Sequence, residues 1–184
     1  MTPSAEQATA AGIGDAGQPV CWRTCETPIG EILLVADASG LRELHLPGTF
    51  APRDATSAPS ADCAPLTRAV EQLGEYFAGD LTRFDLPLVL TGTAFQVQVW
   101  QALADIPYAK TESYGSVAAR IGNAKASRAV GMANNRNPLA IVLPCHRVIG
   151  SNGALVGYGG GLWMKEWLLR HEASVVERDG AEAR

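Results

Sequence analysis

One run of ten residues is the most informative feature of this chain: Leu139-Ala140-Ile141-Val142-Leu143-Pro144-Cys145-His146-Arg147-Val148. Its first five residues are apolar and predict a buried strand, which Pro144 ends because proline cannot donate to a further ladder bond. Cys145 then lies at a rigid turn, where its side chain can face a cleft. Cysteine attacks as the thiolate, which a basic or cationic neighbour favours, and here His146 and Arg147 are adjacent. The run predicts a nucleophilic site; the alternative is a cysteine packed as a small hydrophobe.

Three helical patterns precede this run. Thr93 and Gln96 have the Ser/Thr-x-x-Glu/Gln spacing of a capping box and predict a helix that continues to about Asp105. Two shorter helices are predicted over residues 115–121 and 126–133. Two short helices joined by a tight turn are typical of a helix-turn-helix, whose second helix meets nucleic acid.

The N-terminal half predicts a small α/β unit without recognisable chemistry. Apolar alternation predicts an antiparallel meander, with strands over residues 20–24, 31–36 and 41–46. Apolar residues at helical spacing predict a helix over residues 66–77 that ends at Gly79, followed by a short strand over residues 84–86.

The blocks around the Cys145 run share their order and spacing with one known family. They are Ser113-Tyr114-Gly115, Ser127-Arg128-Ala129-Val130-Gly131, Asn137-Pro138, Gly157-Tyr158-Gly159-Gly160-Gly161-Leu162 and His171-Glu172. With Pro144-Cys145-His146-Arg147-Val148 they resemble the O6-alkylguanine-DNA alkyltransferases, proteins of direct-reversal DNA repair.

This resemblance implies an α+β fold of two units. The first is a small N-terminal α/β domain with an antiparallel sheet, ribonuclease H-like, over residues 19–90. The second is a mainly helical, winged-helix-like domain with the helix-turn-helix and the active-site cysteine, over residues 91–174. Residues 1–18 are expected to be a disordered tail, because they are rich in small residues and lack periodicity, and residues 175–184 a second tail.

The resemblance implies a single-turnover methyltransferase that flips O6-methylguanine out of duplex DNA. It transfers the alkyl group irreversibly to Cys145, since a thiolate suits attack on a saturated carbon. A base must take the thiol proton and needs an orienting partner on its other ring nitrogen. His146 and Glu172 fill these roles, with a water between His146 and Cys145 implied by the family. Activity on O4-methylthymine is left open.

The family also implies roles for residues around the substrate. Asn137 braces the turn beneath Cys145, Tyr114 serves a ring nitrogen of the base, and Arg128 fills the gap that the flipped base leaves. The expected DNA-binding residues are Ser127, Arg128, Ala129, Asn135, Arg136 and Tyr114. The expected substrate-pocket residues are Val148, Tyr158, Gly159 and Gly160.

The charge distribution favours a nucleic-acid partner for the C-terminal half. Residues 1–90 carry 5 Lys/Arg and 12 Asp/Glu, whereas residues 91–184 carry 10 and 7, so the net charge of −4 hides a basic half. Residues 113–150 contain no acid and five basic residues: Arg120, Lys125, Arg128, Arg136 and Arg147. This basic stripe predicts phosphate binding, the alternative being a solvated helix face. We expect double-stranded alkylated DNA as the partner of a monomer and leave cooperative binding open.

No cofactor and no metal are expected. The glycine-rich run 157–161 lacks the Gly-Lys-Ser/Thr ending of a phosphate loop, and close approach of the backbone to a flat base explains it better. Cys21, Cys25, Cys63 and His45 could together hold zinc, but they lack a Cys-x2-Cys knuckle. Ordinary free, reduced thiols are therefore expected.

Composition and patterning also bear on location and on competing functions. No apolar run reaches the roughly 18 residues of a membrane span, and no export signal is present, so a cytoplasmic protein without a membrane partner is expected. A non-catalytic lesion binder is disfavoured because Cys145 is present. A cysteine hydrolase using Cys145, His146 and Glu172 would differ in turning over. A transcriptional regulator is disfavoured because the short chain shows no dimerisation element.

Overall fold

The N-terminal unit is a three-stranded antiparallel sheet covered by one helix. In the computed structural model, which describes residues 20–49 and 63–182, β1 (Cys21–Cys25), β2 (Ile32–Asp37) and β3 (Gly40–His45) form a sheet in the order β1-β2-β3. All six residues of β2, the central strand, are buried, and α1 (Ala64–Ala78) packs on the sheet. The predicted meander is confirmed, whereas the expected tail over residues 1–18 lies outside the described residues.

The end of α1 follows from its sequence. Gly79 caps the helix in the left-handed region at φ 85°, where a side chain is strained and glycine is not. A Cβ at this position would also lie 2.7 Å from Cγ2 of Val175. The predicted helix and its stop at Gly79 are confirmed.

The strand predicted over residues 84–86 is wrong. Gln72 of α1 takes up the backbone groups of this segment, because its side chain accepts from the N–H of Asp85 (2.8 Å) and donates to the Asp85 carbonyl (2.9 Å). Pro87 then has no N–H to offer to a ladder. The pairing that does form next to this segment is a single parallel bridge between Leu88 and Leu41.

The cysteines of the N-terminal unit correct a second expectation. Cys21 and Cys63 form a disulfide, with Cα atoms 6.3 Å apart across a sequence separation of 42, while Cys25 and Cys145 are free. The expectation of free, reduced thiols is therefore wrong for Cys21 and Cys63. Packing of α1 on the sheet brings the two residues together, and no local sequence pattern records that contact. Within residues 20–49 and 63–182, no group of three or more His, Cys, Asp or Glu is placed to hold a metal ion.

The C-terminal unit contains the predicted helix-turn-helix. It begins with α2 (Ala94–Ala104), and the capping box is confirmed: Thr93 Oγ1 accepts from Gln96 N–H (3.3 Å), and Gln96 Oε1 accepts from Thr93 N–H (2.9 Å). Next come α3 (Tyr114–Arg120) and α4 (Ser127–Asn135), which pack on each other and on α2. Both helices are found where they were predicted, within two residues at each end.

The buried strand predicted over residues 139–143 is wrong. The segment is buried but turns back on itself, with Leu143 N–H bonded to the Leu139 carbonyl at 2.8 Å and Ile141 at φ 72°. Asn137 closes this turn, since its side chain accepts from Leu139 N–H (3.0 Å) and donates to the Leu143 carbonyl (2.8 Å). An apolar pattern reports burial and cannot distinguish a strand from a turn whose backbone is bonded by a side chain.

A pair of short strands and one helix complete the fold. Glu112–Ser113 (β4) and Val148–Ile149 (β5) form a two-residue parallel pair, too short for any periodicity to reveal. The last helix, α5 (Leu162–Glu182), includes residues 175–182, which were expected to belong to a tail. Glu172 lies within this helix. No helix in the described ranges is long and apolar enough to cross a bilayer.

Candidate active site

Cys145 lies at the start of a short 3-10 turn, Cys145–Arg147, directly after Pro144. Its side chain is 4% exposed. Burial raises the pKa of the thiol, while the side-chain amide of Asn137 and the ammonium of Lys165 lower it. The net shift is upward, so the thiol is protonated at neutral pH. Cys145 therefore needs a base before it can attack.

His146 is oriented by a buried carboxylate. Its Nε2 lies 2.7 Å from Oε1 of Glu172, and both side chains are fully buried. Burial lowers the pKa of His146, so the ring is neutral, and because a carboxylate only accepts, Nε2 carries the hydrogen. Nδ1 is then the basic nitrogen, and it has no hydrogen-bond partner in the part of the chain that the structure describes. This nitrogen can accept a proton.

Glu172 binds several donors besides His146. Its Oε1 accepts from the Tyr76 hydroxyl (2.9 Å), its Oε2 accepts from the N–H of Ala109 (2.9 Å), and the Arg147 guanidinium reaches both oxygens. Burial alone would raise the pKa of Glu172, but the hydrogen bonds from His146 and Arg147 and the charge of Arg147 outweigh it and lower the pKa to about 2. The carboxylate is therefore ionised and fixed in place.

Arg147 was expected to belong to the basic stripe that binds phosphate, but it is buried. It is 6% exposed, and besides Glu172 it donates through Nη1 to the Ile106 carbonyl (2.6 Å) and lies over the ring of Tyr108. Its charge neutralises a buried carboxylate. Arg147 therefore does not belong to a phosphate-binding stripe. Its guanidinium binds Glu172 and the Ile106 carbonyl rather than the Cys145 thiol.

Lys165 is a site residue that sequence reasoning missed. It is fully buried, and its ammonium donates to the carbonyls of Val148 (2.6 Å) and Val156 (3.0 Å). The Tyr114 hydroxyl donates to the same Val156 carbonyl (3.0 Å), and the ammonium lies 5.9 Å from the Tyr114 ring. A signal was present, because Lys165 and Glu172 are spaced i, i+7 along one face of α5. Polar residues at such spacing among apolar ones mark a buried polar site.

Two asparagines position the backbone around the thiol. Asn137 spans the turn of residues 139–143 that precedes Cys145. Asn134, in the last turn of α4, is 4% exposed, and its Nδ2 donates to the Cys145 carbonyl at 3.3 Å. The end of the helix-turn-helix is thereby tied directly to the reactive residue. Asn134 was not singled out from the sequence.

A cavity of about 390 Å³ opens beside Cys145. It is bounded by the end of α4, the glycine-rich loop and β3, and its lining includes Asn134, Asn137, Cys145, Tyr158, Gly159 and Leu46. A Cβ on Gly159 would meet only Leu46, at 4.0 Å, so the lack of a side chain there widens the cavity. Of the other two expected pocket residues, Val148 is buried at β5 and, like Gly160, does not line this cavity.

The exposed face of α4 lies next to this cavity. Arg128 lies in the first turn of α4, and Ala129, Asn135 and Arg136 are also exposed, while Ser127 is half-buried. The predicted stripe of five basic residues is reduced to three. Arg147 is buried, and Arg120 forms ion pairs with Asp105 (3.3 Å) and Glu112 (3.2 Å). The remaining three are Lys125, Arg128 and Arg136.

Comparisons with known proteins agree with this geometry. The ribonuclease-like domain of 6-O-methylguanine DNA methyltransferases matches residues 20–90, and their DNA binding domain matches residues 94–174. A methylated-DNA–protein-cysteine methyltransferase of Methanosarcina acetivorans is 50% identical over 149 residues, which are 81% of this chain and 96% of that protein. A protein of the same name from Mycobacterium bovis is 48% identical over 159 residues, 86% of this chain and 95% of its own.

Solved structures give the same result. The Mycobacterium tuberculosis OGT in complex with DNA is similar with a TM-score of 0.76 at 47% identity, covering 84% of this chain and 93% of that one. An O6-methylguanine DNA methyltransferase from Methanococcus jannaschii is similar with a TM-score of 0.59 at 28% identity, covering 82% and 92%. Both units of the fold and nearly the whole described chain are matched, and this chain therefore belongs to the 6-O-methylguanine DNA methyltransferase family.

Proposed function

We propose that this protein repairs O6-alkylguanine in DNA by moving the alkyl group onto its own Cys145. The observation that carries the proposal is the pairing of His146 with the ionised Glu172 beside the buried thiol, at a cavity that adjoins the helix-turn-helix. A protonated thiol needs a base, and the unpartnered Nδ1 of His146 supplies one. We further propose that a water carries the proton between Sγ and Nδ1.

The chemistry balances without a cofactor. The Cys145 thiolate attacks the alkyl carbon, the carbon–oxygen bond breaks, and its electron pair stays on O6 of guanine. The proton that left the thiol is returned to the base through His146, so the products are an S-alkyl cysteine and ordinary guanine. No group in the reaction cleaves the thioether, and each molecule therefore acts once.

The DNA-handling step rests on α4. A base inside a duplex cannot reach a buried thiol, so the damaged nucleotide must leave the stack. Arg128 is exposed in the first turn of α4 and is our candidate to occupy the gap, while Ser127, Ala129, Asn135 and Arg136 lie along the same helix or at its end. We propose that Tyr114 contacts the flipped nucleotide, and that Tyr158 and Gly159 border its alkyl group. The proposed partner is double-stranded DNA, bound in the cytoplasm by a monomer.

Intact-protein mass spectrometry after mixing with duplex DNA containing O6-methylguanine tests the proposal. We expect one methyl group per molecule, on Cys145, and none on Cys145→Ser. The matched control is Cys25→Ser, because Cys25 is the other free cysteine among the described residues, and this variant should still accept one methyl group. Many turnovers per molecule would favour the cysteine hydrolase, and unmodified protein that still binds the lesion would favour a lesion binder.

A further inference from the structure

The disulfide of the N-terminal unit joins its first strand to the start of its helix. Cys21 is the first residue of β1, and Cys63 is the residue directly before α1. β1 is an edge strand, because within the described sheet it pairs with β2 alone. The bond therefore ties an edge strand to a helix end, and such parts of a domain open locally at little cost in free energy.

The start of α1 depends on this bond because its sequence supplies no ordinary cap. A capping residue is usually Ser, Thr, Asp or Asn, whose side chain accepts from an N–H of the first turn. Cys63 makes no such hydrogen bond, and the first turn contains no acidic residue that would interact favourably with the helix dipole. The covalent attachment to Cys21 therefore replaces a capping side chain in holding the first turn on the sheet.

The two bonded cysteines differ in their access to solvent. Cys21 is 4% exposed, whereas Cys63 is half-buried. Cys63 also lies at the N-terminal end of a 15-residue helix, where the helix dipole stabilises an anion such as a thiolate. A small thiol or a small disulfide in solution therefore reacts at the sulfur of Cys63, and Cys21 is the partner that closes or leaves the bond.

The other two cysteines do not compete for this chemistry. Burial raises the pKa of Cys25 to about 11, and burial also raises the pKa of Cys145. Both thiols are protonated at neutral pH, and thiol–disulfide exchange needs a thiolate. The disulfide therefore does not rearrange onto Cys25, and an oxidant that closes it leaves Cys145 as a free thiol.

The far end of α1 is fixed by packing and does not depend on the disulfide. Tyr76, in the last turn of this helix, donates to Glu172 at 2.9 Å. Between Cys63 and Tyr76, Leu66, Ala69 and Leu73 are buried in the core. Opening of the first turn leaves these contacts in place, so Tyr76 keeps its hydrogen bond to Glu172 as long as the chain is folded.

We propose that the Cys21–Cys63 bond is a reversible redox link, which sets how long the protein stays folded and does not change its rate of alkyl transfer. To close the link, the Cys63 thiolate attacks a small disulfide and releases one small thiol. Cys21 then displaces the second small thiol from the mixed disulfide. One small disulfide is thus reduced as two protein thiols are oxidised, and two small thiols reverse the reaction.

The redox link has a consequence that rests on the proposed function. Disulfides that form in a compartment rich in small thiols are usually transient or redox-sensing, and the proposed location is such a compartment. Each molecule acts once, so the capacity for repair equals the number of molecules that are still folded. Closing the link under oxidising conditions preserves that number while the nucleophile stays reduced.

Thermal unfolding in oxidised and in reduced glutathione tests the effect on stability. A disulfide across a separation of 42 residues raises the Tm of a chain of this size by roughly 10 °C, and we expect this difference between the two conditions. Cys63→Ser should show no difference, and it remains foldable because serine supplies the missing cap. Cys25→Ser, on the same strand, is the matched control and should keep the full difference. Equal Tm values for the unsubstituted protein would overturn the proposal.

Counting thiols tests whether the link is reversible. The protein is equilibrated in each glutathione buffer, denatured in N-ethylmaleimide and weighed by intact-protein mass spectrometry. All four cysteines should react after reduced glutathione, and only the two free ones after oxidised glutathione. A bond that stays closed in reduced glutathione would be a static crosslink, and a bond that does not form in oxidised glutathione would be no link at all; either result overturns the proposal.

Alkyl transfer measured in both redox states separates stability from rate. Well below both Tm values, oxidised and reduced protein should transfer methyl from an O6-methylguanine duplex at equal single-turnover rates. After incubation between the two Tm values, only the oxidised protein should retain its capacity. Slower transfer by either form at low temperature, or equal loss of capacity on heating, would overturn the proposal. Transfer by neither form would refute the proposed function instead, while the Tm values and thiol counts would still decide on the link.

Discussion

Replacing Glu172 by glutamine is expected to destabilise the protein strongly. The substitution removes the negative charge that balances the guanidinium of Arg147, whose side chain is 7% exposed, and loss of one partner of a buried ion pair costs about 3–5 kcal/mol. The lowered pKa of Glu172 gives a second way to calculate this loss of stability. Glu172 has a pKa of about 2 against a usual 4.5, and at ~1.4 kcal/mol per pKa unit this difference is worth about 3 kcal/mol.

The pH dependence of stability follows from the direction of that pKa shift. The pKa of Glu172 is lower in the folded than in the unfolded chain, so its contribution is complete above pH 4.5 and is lost as the pH falls towards 2. The unsubstituted protein should lose about 3 kcal/mol across this interval from Glu172 alone. In Glu172→Gln this part of the acid dependence should be missing.

Urea unfolding followed by circular dichroism at pH 7, 5 and 3.5 would measure the cost of the substitution and the part of the acid dependence that lies above pH 3.5, which is about 1.4 kcal/mol. Glu166→Gln is the matched control, since Glu166 lies on the same helix and pairs with Arg170 at 2.7 Å, but the two side chains are 49% and 79% exposed. Such a pair contributes only about 0.3–0.5 kcal/mol. The reasoning is refuted if Glu172→Gln costs less than about 1 kcal/mol at pH 7, or if its stability falls with acid as steeply as that of the unsubstituted protein.

Three other predictions concern positioning and DNA binding. Tyr76→Phe keeps the ring but removes the hydrogen bond to Glu172; it should slow alkyl transfer with unchanged DNA affinity, and a loss of affinity measured by fluorescence anisotropy would contradict this. Arg128→Ala should slow repair of duplex DNA far more than reaction with free O6-benzylguanine, and equal losses would place Arg128 in the pocket instead. With three exposed basic residues, Lys125, Arg128 and Arg136, the logarithm of affinity should fall with the logarithm of salt concentration with a slope near −3; a slope near zero would argue against phosphate contacts.

Local chemistry in the sequence accounts for most of the secondary structure. The capping box at Thr93 and Gln96 and the helix end at Gly79 each depend on a few neighbouring residues. Both can therefore be predicted from the sequence before the fold is known. The segments over residues 84–86 and 139–143 were predicted as strands and are not. In both, a side chain outside the segment, distant Gln72 or nearby Asn137, takes backbone hydrogen bonds that a strand would have used. An apolar pattern contains no record of such a partner.

Some features of the active site could likewise be predicted from the sequence, and others could not. The motif that contains Cys145 and His146 predicts a nucleophile and its base. The family resemblance predicts that Glu172 orients this base. The sequence did not show that Arg147 would turn inward to neutralise Glu172, that Arg120 would pair with Asp105 and Glu112, or that Cys21 would bond to Cys63.

Residue type and short spacing are therefore enough to identify the family, most of the helices and strands, and the nucleophile. Three-dimensional packing sets which basic side chains stay exposed to DNA and which donors bind Glu172. It brought Tyr76 from the N-terminal helix to the carboxylate across a separation of 96 residues. These outcomes depend on which distant groups are buried together, and burial forces each buried charge and polar atom to find its partner in space.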